Sequence, residues 1–219
     1  MDCLWSWQST HINVGRDVDD QRIPIRQIIV SGMLLFGGTF DPVHNGHVAM
    51  LECAVANLHP ASVKILPVGN PWQKGRLPFA AAPDRVAMLK LAMPHVDVDE
   101  RELTRSGPTY TVDTLREISR EHPSAKLYWL IGSDSFTGLD SWHEASKLAT
   151  LATFVVVRRA NEILVPPTGK FCYQALDCSP PPVSSTAIRA NWARGESIVG
   201  LVPDGICDYI QQHQLYDAR

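Results

Sequence analysis

Leu34 to Met50 reads "LLFGGTFDPVHNGHVAM". The stretch opens apolar, turns through Gly37 and Gly38, and then sets His44 and His47 three residues apart. Met33 to Phe36 reads as a buried strand. Asn45 to Leu58 reads as a helix, with Val48, Leu51, Val55 and Leu58 at helical spacing. A helix that begins near Asn45 aims unpaired N–H groups and the positive end of its dipole at the turn. Two glycines let a bulky anion approach the backbone closely. Gly46 removes a side chain from between the histidines, which at i and i+3 lie near one face of the first turn. A glycine pair alone would imply only a tight turn with two surface histidines. Two imidazoles, helix amides and the glycine turn together suit a polyphosphate.

Working outward, the rest of the chain alternates in the same way. Strands are expected at Val63 to Val68, Val96 to Val98, Leu127 to Ile131, Thr153 to Val157 and Phe171 to Leu176. Helices are expected at Pro83 to Met93, Tyr110 to Glu121, Ser141 to Leu148, Ser185 to Arg194 and Pro203 to His213. Alternation of this kind predicts an α/β fold, a mostly parallel sheet with helices on both faces. Such sheets bind ligands beyond the carboxyl ends of their strands, so residues that follow strands are the candidates for function. No internal repeat or low-complexity tract interrupts the pattern.

Bulk properties narrow the classes. The 219 residues are 45% hydrophobic and 20% charged, an ordinary globular composition. A net charge of -3 provides no global field for nucleic acid. A membrane span needs roughly 20 consecutive apolar residues, and the run near Ile28 to Gly38 is shorter and broken by Ser31 and Gly32. The N-terminus lacks the pattern of a signal peptide. Five cysteines, with no C-x-x-C spacing, read as buried or incidental thiols of a reducing cytosol. Residues 1 to 32 mix tryptophans and polar residues without a helix or strand period. They read as a poorly ordered extension, ahead of a domain at residues 33 to 219. A short arm packed on a partner is the alternative.

A second phosphate-suited segment lies late in the chain, "VSSTAIR" at Val183 to Arg189. Ser184 or Ser185 can cap a helix that points amides at phosphate, and Arg189 can fork onto phosphate oxygens. "GGTFDPVHNGH" and "VSSTAIR" resemble the H-x-G-H and I-S-S-T-x-I-R signatures of the nucleotidyltransferase superfamily. "DERELTRSGPTYTVDTL" (Asp99 to Leu115), "IGSDSFTGLDSWHE" (Ile131 to Glu144) and "VVVRR" (Val155 to Arg159) are similar to bacterial nicotinate-nucleotide adenylyltransferases. The resemblance runs from Met33 to about Tyr216. It implies a Rossmann-like nucleotidyltransferase fold and, in NAD biosynthesis, synthesis of deamido-NAD and pyrophosphate from ATP and nicotinate mononucleotide. Mg²⁺ would accompany ATP, without a dedicated metal site. The expected location is the cytoplasm, with no nucleic-acid or membrane partner, and a homo-oligomer is left open.

The resemblance assigns expected roles residue by residue. His44 and His47 are the expected catalytic residues. Gly37, Gly38, Thr39, Phe40, His44, His47, Ser185 and Arg189 are expected around ATP. Around the acceptor, Tyr110 and Thr111 open a helix whose amides could hold a carboxylate. Gly132 and Asp134 follow a strand end, where a carboxylate can take ribose hydroxyls. Trp142 offers a flat face to a pyridine ring. Arg158 or Arg159 could take the mononucleotide phosphate. Each of these also has a plain structural reading as a cap, a core tryptophan or a solvated charge pair. The family's loop after the second strand usually reads P-P-H-K or P-P-H-R. Here it is Pro71-Trp72-Gln73-Lys74, so Lys74 keeps a phosphate-binding role while Gln73 cannot inherit one from a histidine.

Rival readings are transfer to nicotinamide mononucleotide or pantetheine phosphate, a nucleotide-binding regulatory module without turnover, and a class I tRNA synthetase fragment. The pantetheine enzymes usually carry threonine at the position of His44, and a synthetase would need a lysine-rich loop and a tRNA-binding extension. A pure sensor has no need of His44, His47 and Arg189 together. A chain lacking residues 1 to 32 should keep its activity and melting temperature nearly unchanged. A loss of several degrees, or of an oligomer on a sizing column, would show instead that the segment packs.

Overall fold

The first strand already carries both faces of the sheet. In the computed structural model, which describes residues 32–71, 77–158 and 163–217, β1 spans Gly32–Gly38. Leu34 and Phe36 enter one apolar core and Met33 and Leu35 the other, as a period of two requires. A strand buried on both faces reads as a continuous apolar run, the mark of a parallel sheet.

The chain continues through α1 (Asn45–Leu58), β2 (Ser62–Pro67), α2 (Ala82–Ala92), β3 (Asp97–Val98) and α3 (Thr111–Glu121). Next come β4 (Lys126–Gly132), α4 (Ser133–Thr137), a 3-10 turn at Leu139–Ser141 and α5 (Ala145–Leu151). β5 (Thr153–Arg158), β6 (Tyr173–Asp177), α6 (Ser185–Ala193) and α7 (Ile206–Gln212) follow. Six strands form one sheet in the order β3-β2-β1-β4-β5-β6, and every neighbouring pair is parallel. This is the doubly wound order. The order in which strands are added reverses between β1 and β4, which leaves a crevice at their carboxyl ends. Leu51 of α1, Met88 of α2, Ile188 of α6 and Ile206 of α7 cover one face. Val112 and Leu115 of α3, Phe136 of α4 and Leu148 of α5 cover the other.

Three expectations need correction. Of the helix expected over Ser141 to Leu148, Ser141 instead ends a 3-10 turn and α5 starts only at Ala145 and runs on to Leu151, with a separate short α4 ahead of the turn. Gly138 closes α4, and Glu144 takes a left-handed φ of 49° before α5 can start. On α1 the buried stripe is Leu51, Ala54 and Leu58, and Val55 is exposed. Cysteine usage was also misread, because Cys53 and Cys178 form a disulfide with Cα atoms 6.4 Å apart. Their separation of 125 residues hides the pair from any spacing rule. Packing of α1 near the end of β6 brings them together. The reading of residues 1 to 32 lies outside the described residues except for Gly32, which begins β1.

One buried carboxylate anchors the loop from β1 to α1. Asp41 is 2% exposed. Its Oδ2 accepts from the Phe79 N–H at 2.8 Å. Its Oδ1 accepts from the Ala80 N–H at 3.0 Å and the Tyr216 hydroxyl at 2.9 Å. Its backbone carbonyl accepts from Arg189 Nη1. Arg85, buried in α2, donates from Nη1 to the Thr39 carbonyl at 2.8 Å, and Asp41 offsets the cost of burying its charge. Four separated parts of the chain thus meet on the turn that carries "GGTFDP". Removing one member of a buried charged network leaves its partners uncompensated, at about 3–5 kcal/mol. Asp41→Ala should therefore lower the free energy of urea unfolding by about that amount. A change below about 1 kcal/mol, the scale of an ordinary hydrogen bond, would show that the anchor is dispensable.

Candidate active site

α1 starts at the mouth of the crevice with a cap made from its own histidines. His44 is the N-cap residue, and its Nδ1 accepts from the His47 N–H at 3.3 Å. His47 returns the bond, its Nδ1 accepting from the His44 N–H at 3.3 Å. This is the capping-box arrangement with imidazoles in both roles. The rings stack with centroids 3.6 Å apart and 19° between planes. Because each Nδ1 is an acceptor, the ring proton of a neutral imidazole sits on Nε2, so each ring offers one N–H donor. Burial lowers the His44 pKa to about 4, which keeps that ring neutral and spares the stack a pair of like charges. Phe40 was expected beside ATP. It is 1% exposed, with its ring 4.9 Å from that of His47, so its side chain supports the histidine from below.

Gly37 and Gly38 meet neighbours inside the protein. A Cβ on Gly37 would lie 2.4 Å from Trp129 Cζ2, and one on Gly38 would lie 2.7 Å from Phe40 Cζ. Packing by Trp129 and Phe40 therefore demands glycine at both positions, and their backbone forms the floor of the crevice.

α6 is tied to the same mouth. Ser184 is its N-cap and accepts from the Ala187 N–H. Ser185 donates from its hydroxyl to the Pro42 carbonyl at 2.9 Å. Arg189 also donates from Nη2 to Thr186 Oγ1 at 3.2 Å and lies over the exposed Phe79 ring, 4.4 Å from its centroid. The two signature segments, more than a hundred residues apart, are thus bonded to each other directly.

Beyond the glycines lies a small open cleft of about 100 Å³, below the roughly 300 Å³ at which typical ligand pockets begin. Gly37, Gly38, Thr39, Thr111 and Trp142 line it. Glu102, Thr109 and Trp129, which the sequence reading did not single out, line it too. Tyr110 is the N-cap of α3 without a side-chain cap, its ring stacked 4.0 Å from that of His143. Gly132 is the N-cap of α4, and Asp134 is exposed in its first turn. Arg158, at the end of β5, forms an ion pair with Asp177 of β6. Thr111 and Trp142 are therefore gathered in one cleft, whereas Gly132, Asp134 and Arg158 are not among its lining residues. Lys74 and Arg159 lie outside the described residues.

Glu102 is the unexpected member. It is 3% exposed, and its Oε1 accepts from the Thr114 hydroxyl at 2.6 Å. Burial pushes its pKa up to about 7, against the smaller opposing pull of Thr114 and Arg105. Its segment is held against the exit of β2. A Cβ on Gly69 would lie 2.3 Å from the Glu102 carbonyl, and Asn70 and Thr109 exchange hydrogen bonds. Nothing local in "DEREL" marks this glutamate as the buried one among three acidic residues. Asp41 and Arg85 were missed for the same reason, since their value lies in distant partners. Among the described residues no group of three or more His, Cys, Asp or Glu side chains is placed to hold a metal ion. None of the described helices is long and apolar enough to cross a membrane.

Residues 35–191 match the family model described as cytidylyltransferase-like. A relative from Laribacter hongkongensis named "Probable nicotinate-nucleotide adenylyltransferase" is 41% identical over 210 residues, covering 84% of this chain and 94% of its own. A relative of the same name from Albidiferax ferrireducens is 38% identical over 193 residues, covering 84% and 97%. Among solved structures, the nicotinic acid mononucleotide adenylyltransferase of Plasmodium falciparum complexed with NaAD shares the fold, with a TM-score of 0.70 at 21% identity, covering 85% of this chain and 97% of its own. With its signatures, its sheet order and these relatives in agreement, the chain belongs to the nicotinate-nucleotide adenylyltransferase family of cytidylyltransferase-like proteins.

Proposed function

We propose that the protein transfers the adenylyl group of ATP to nicotinate mononucleotide, giving nicotinate adenine dinucleotide and pyrophosphate, a step of NAD biosynthesis. The observation that carries the reading is the reciprocal cap of His44 and His47, bonded through Pro42 and Asp41 to Ser185 and Arg189 at the switch point of the sheet. Relatives bearing this activity in their name support the choice of acceptor.

The acceptor phosphate oxygen attacks the α-phosphorus in line and forms the new P–O bond. The bond to the bridging oxygen breaks, and pyrophosphate leaves with the electron pair. No covalent enzyme intermediate is required. Catalysis then rests on positioning and on donors aimed at the phosphoryl oxygens. His47 donates to the α-phosphate, with His44, Lys74 and Arg189 on the remaining phosphates. Gly37, Gly38, Thr39 and Ser185 border the nucleotide, and Phe40 acts through His47. The amides at the start of α3, at Thr111, take the nicotinate carboxylate, and Trp142 stacks on its ring. Tyr110, Gly132, Asp134 and Arg158 complete the acceptor side, Arg158 by exchanging Asp177 for phosphate. Mg²⁺ fits here as part of the ATP complex, because such ions keep waters and lean on substrate phosphates, and the imidazoles and guanidinium present are phosphate donors. Its chemistry is to neutralise charge on those phosphates. Dependence on ATP assigns the reaction to the cytoplasm.

Pyrophosphate release should be rapid with ATP and nicotinate mononucleotide, slower with the nicotinamide form and absent with pantetheine phosphate. A lost charge-assisted hydrogen bond to a carboxylate is worth about 1.5–3 kcal/mol, so kcat/KM should favour the nicotinate form by about tenfold to a hundredfold. Equal rates for the two acceptors would point to a dual-specificity enzyme. His47→Ala should lower kcat by roughly 10²–10³-fold, the loss typical of one donor to a developing oxyanion. It should also cost about 1 kcal/mol of stability through the lost cap. Near-normal turnover in that variant would remove His47 from its assigned role.

A further inference from the structure

We propose that Glu102 is a specificity-determining residue of the acceptor cleft, and that a pyridine carboxylate binds there together with one proton taken up by this side chain. The proposal rests on the nicotinate reading above and adds to it the group that makes acceptor choice depend on pH.

The geometry leaves Glu102 little freedom. Its Oε1 is held by the Thr114 hydroxyl at 2.6 Å, and Thr114 Oγ1 accepts in turn from Arg105 Nη1 at 2.7 Å. Arg105 is already paired through Nη2 with Glu117 at 2.6 Å, so the charge that pulls the Glu102 pKa down is shared with another carboxylate. Asp99, bonded to Arg101 and near Lys64, adds negative charge from the same loop. Glu117 of α3 does likewise. The Glu102 backbone packs so closely on Gly69 that a Cβ there would lie 2.3 Å from its carbonyl oxygen. Glu102, its carboxyl buried, is thus a lining residue of the cleft it shares with Thr111 and Trp142, and its titration near pH 7 follows chiefly from burial.

A second carboxylate brought beside the buried Glu102 carboxyl makes it hard for both to ionise. With nicotinate bound, the favoured state has Glu102 protonated, the proton moving from solvent to Oε2. An O–H···O⁻ hydrogen bond is among the strongest available. A neutral carboxamide carries no charge to repel, so ionisation of Glu102 leaves its binding nearly unchanged. Below about pH 7 Glu102 is a donor and the carboxylate is preferred. As pH rises through that value the preference falls.

The test measures kcat/KM for nicotinate and nicotinamide mononucleotides from pH 6 to 9. Their phosphate is common to both, so its titration cancels in the ratio. In the unmodified enzyme the ratio should drop by about tenfold per pH unit once Glu102 ionises, the slope for one linked proton. Glu102→Gln should give a flat ratio, because its amide neither ionises nor loses its N–H donor. Thr114→Val, which removes a hydrogen bond that favours the ionised form, should move the onset to higher pH. On the unmodified protein alone, mixing with nicotinate mononucleotide in weak buffer near pH 7.5 should take up more protons, by up to one per site, than mixing with the nicotinamide form. A flat ratio in the unmodified enzyme, an unchanged slope in Glu102→Gln, or equal proton uptake would each overturn the proposal. Absence of pyrophosphate release with nicotinate mononucleotide at every pH would instead overturn the activity itself, and this proposal with it.

Discussion

The buried carboxylate of Asp41 is the constraint on which the rest of the site depends. It accepts from two amides of the segment before α2 and from a tyrosine near the C-terminus. Its own carbonyl receives Arg189 from α6. A buried charge is tolerated only when its lone pairs are occupied and a counter-charge is close. Meeting that requirement here draws the turn after β1, the approach to α2, α6 and the chain's final turn into one place. The arginine expected at phosphate is thus set by the same group that shapes the loop before the histidines. Disturbance at Tyr216 or Arg85 would reach the mouth of the crevice without either side chain being expected to touch a ligand.

The histidine cap solves two problems with the same atoms. Helix termini leave backbone N–H groups unsatisfied, and an anion site needs donors of known orientation. Nδ1 of each ring satisfies one orphan amide of the other residue, which fixes the tautomer and leaves Nε2–H as the donor. Stacking at 3.6 Å would be costly between two imidazolium ions, and burial keeps His44 neutral. In the proposed site the pair would offer phosphate two Nε2–H donors, one of them on the neutral His44 ring, with the Arg189 guanidinium as the proposed charge. Phe40 and Trp129, packed against Gly38 and Gly37, give this arrangement a rigid floor.

The fold class, the order of the strands and helices, and the two phosphate-suited segments were legible in the sequence because they are local patterns. Period-two and period-3.6 apolar spacing marks strands and helices, and the start of α1 at Asn45 was read to the residue. "GGTFDPVHNGH" and "VSSTAIR" carry their meaning in consecutive residues, so no contact map was needed to see them. Where a helix was misplaced, over Ser141 to Leu148, the cause was also local but weak. The left-handed Glu144 divides a stretch whose composition is compatible with one continuous helix.

Tertiary structure alone decided the rest, because burial and partnership are properties of space. "DEREL" holds three acidic residues, and only burial in the folded chain, against the opposing hydrogen bond from Thr114, pushes the Glu102 pKa up to about 7. Cys53 and Cys178 are 125 residues apart, and only the packing of α1 beside the end of β6 makes them partners. Asp41 and Arg85 look like ordinary surface charges in sequence and lie among the least exposed residues of the fold. Sequence by itself determined that this protein folds as a mostly parallel α/β sheet with helices on both faces, and it marked the turn after the first strand as the segment suited to phosphate. Three-dimensional packing determined which charges are buried there, because the cost of removing a charge from water depends on what surrounds it and not on which residues precede it.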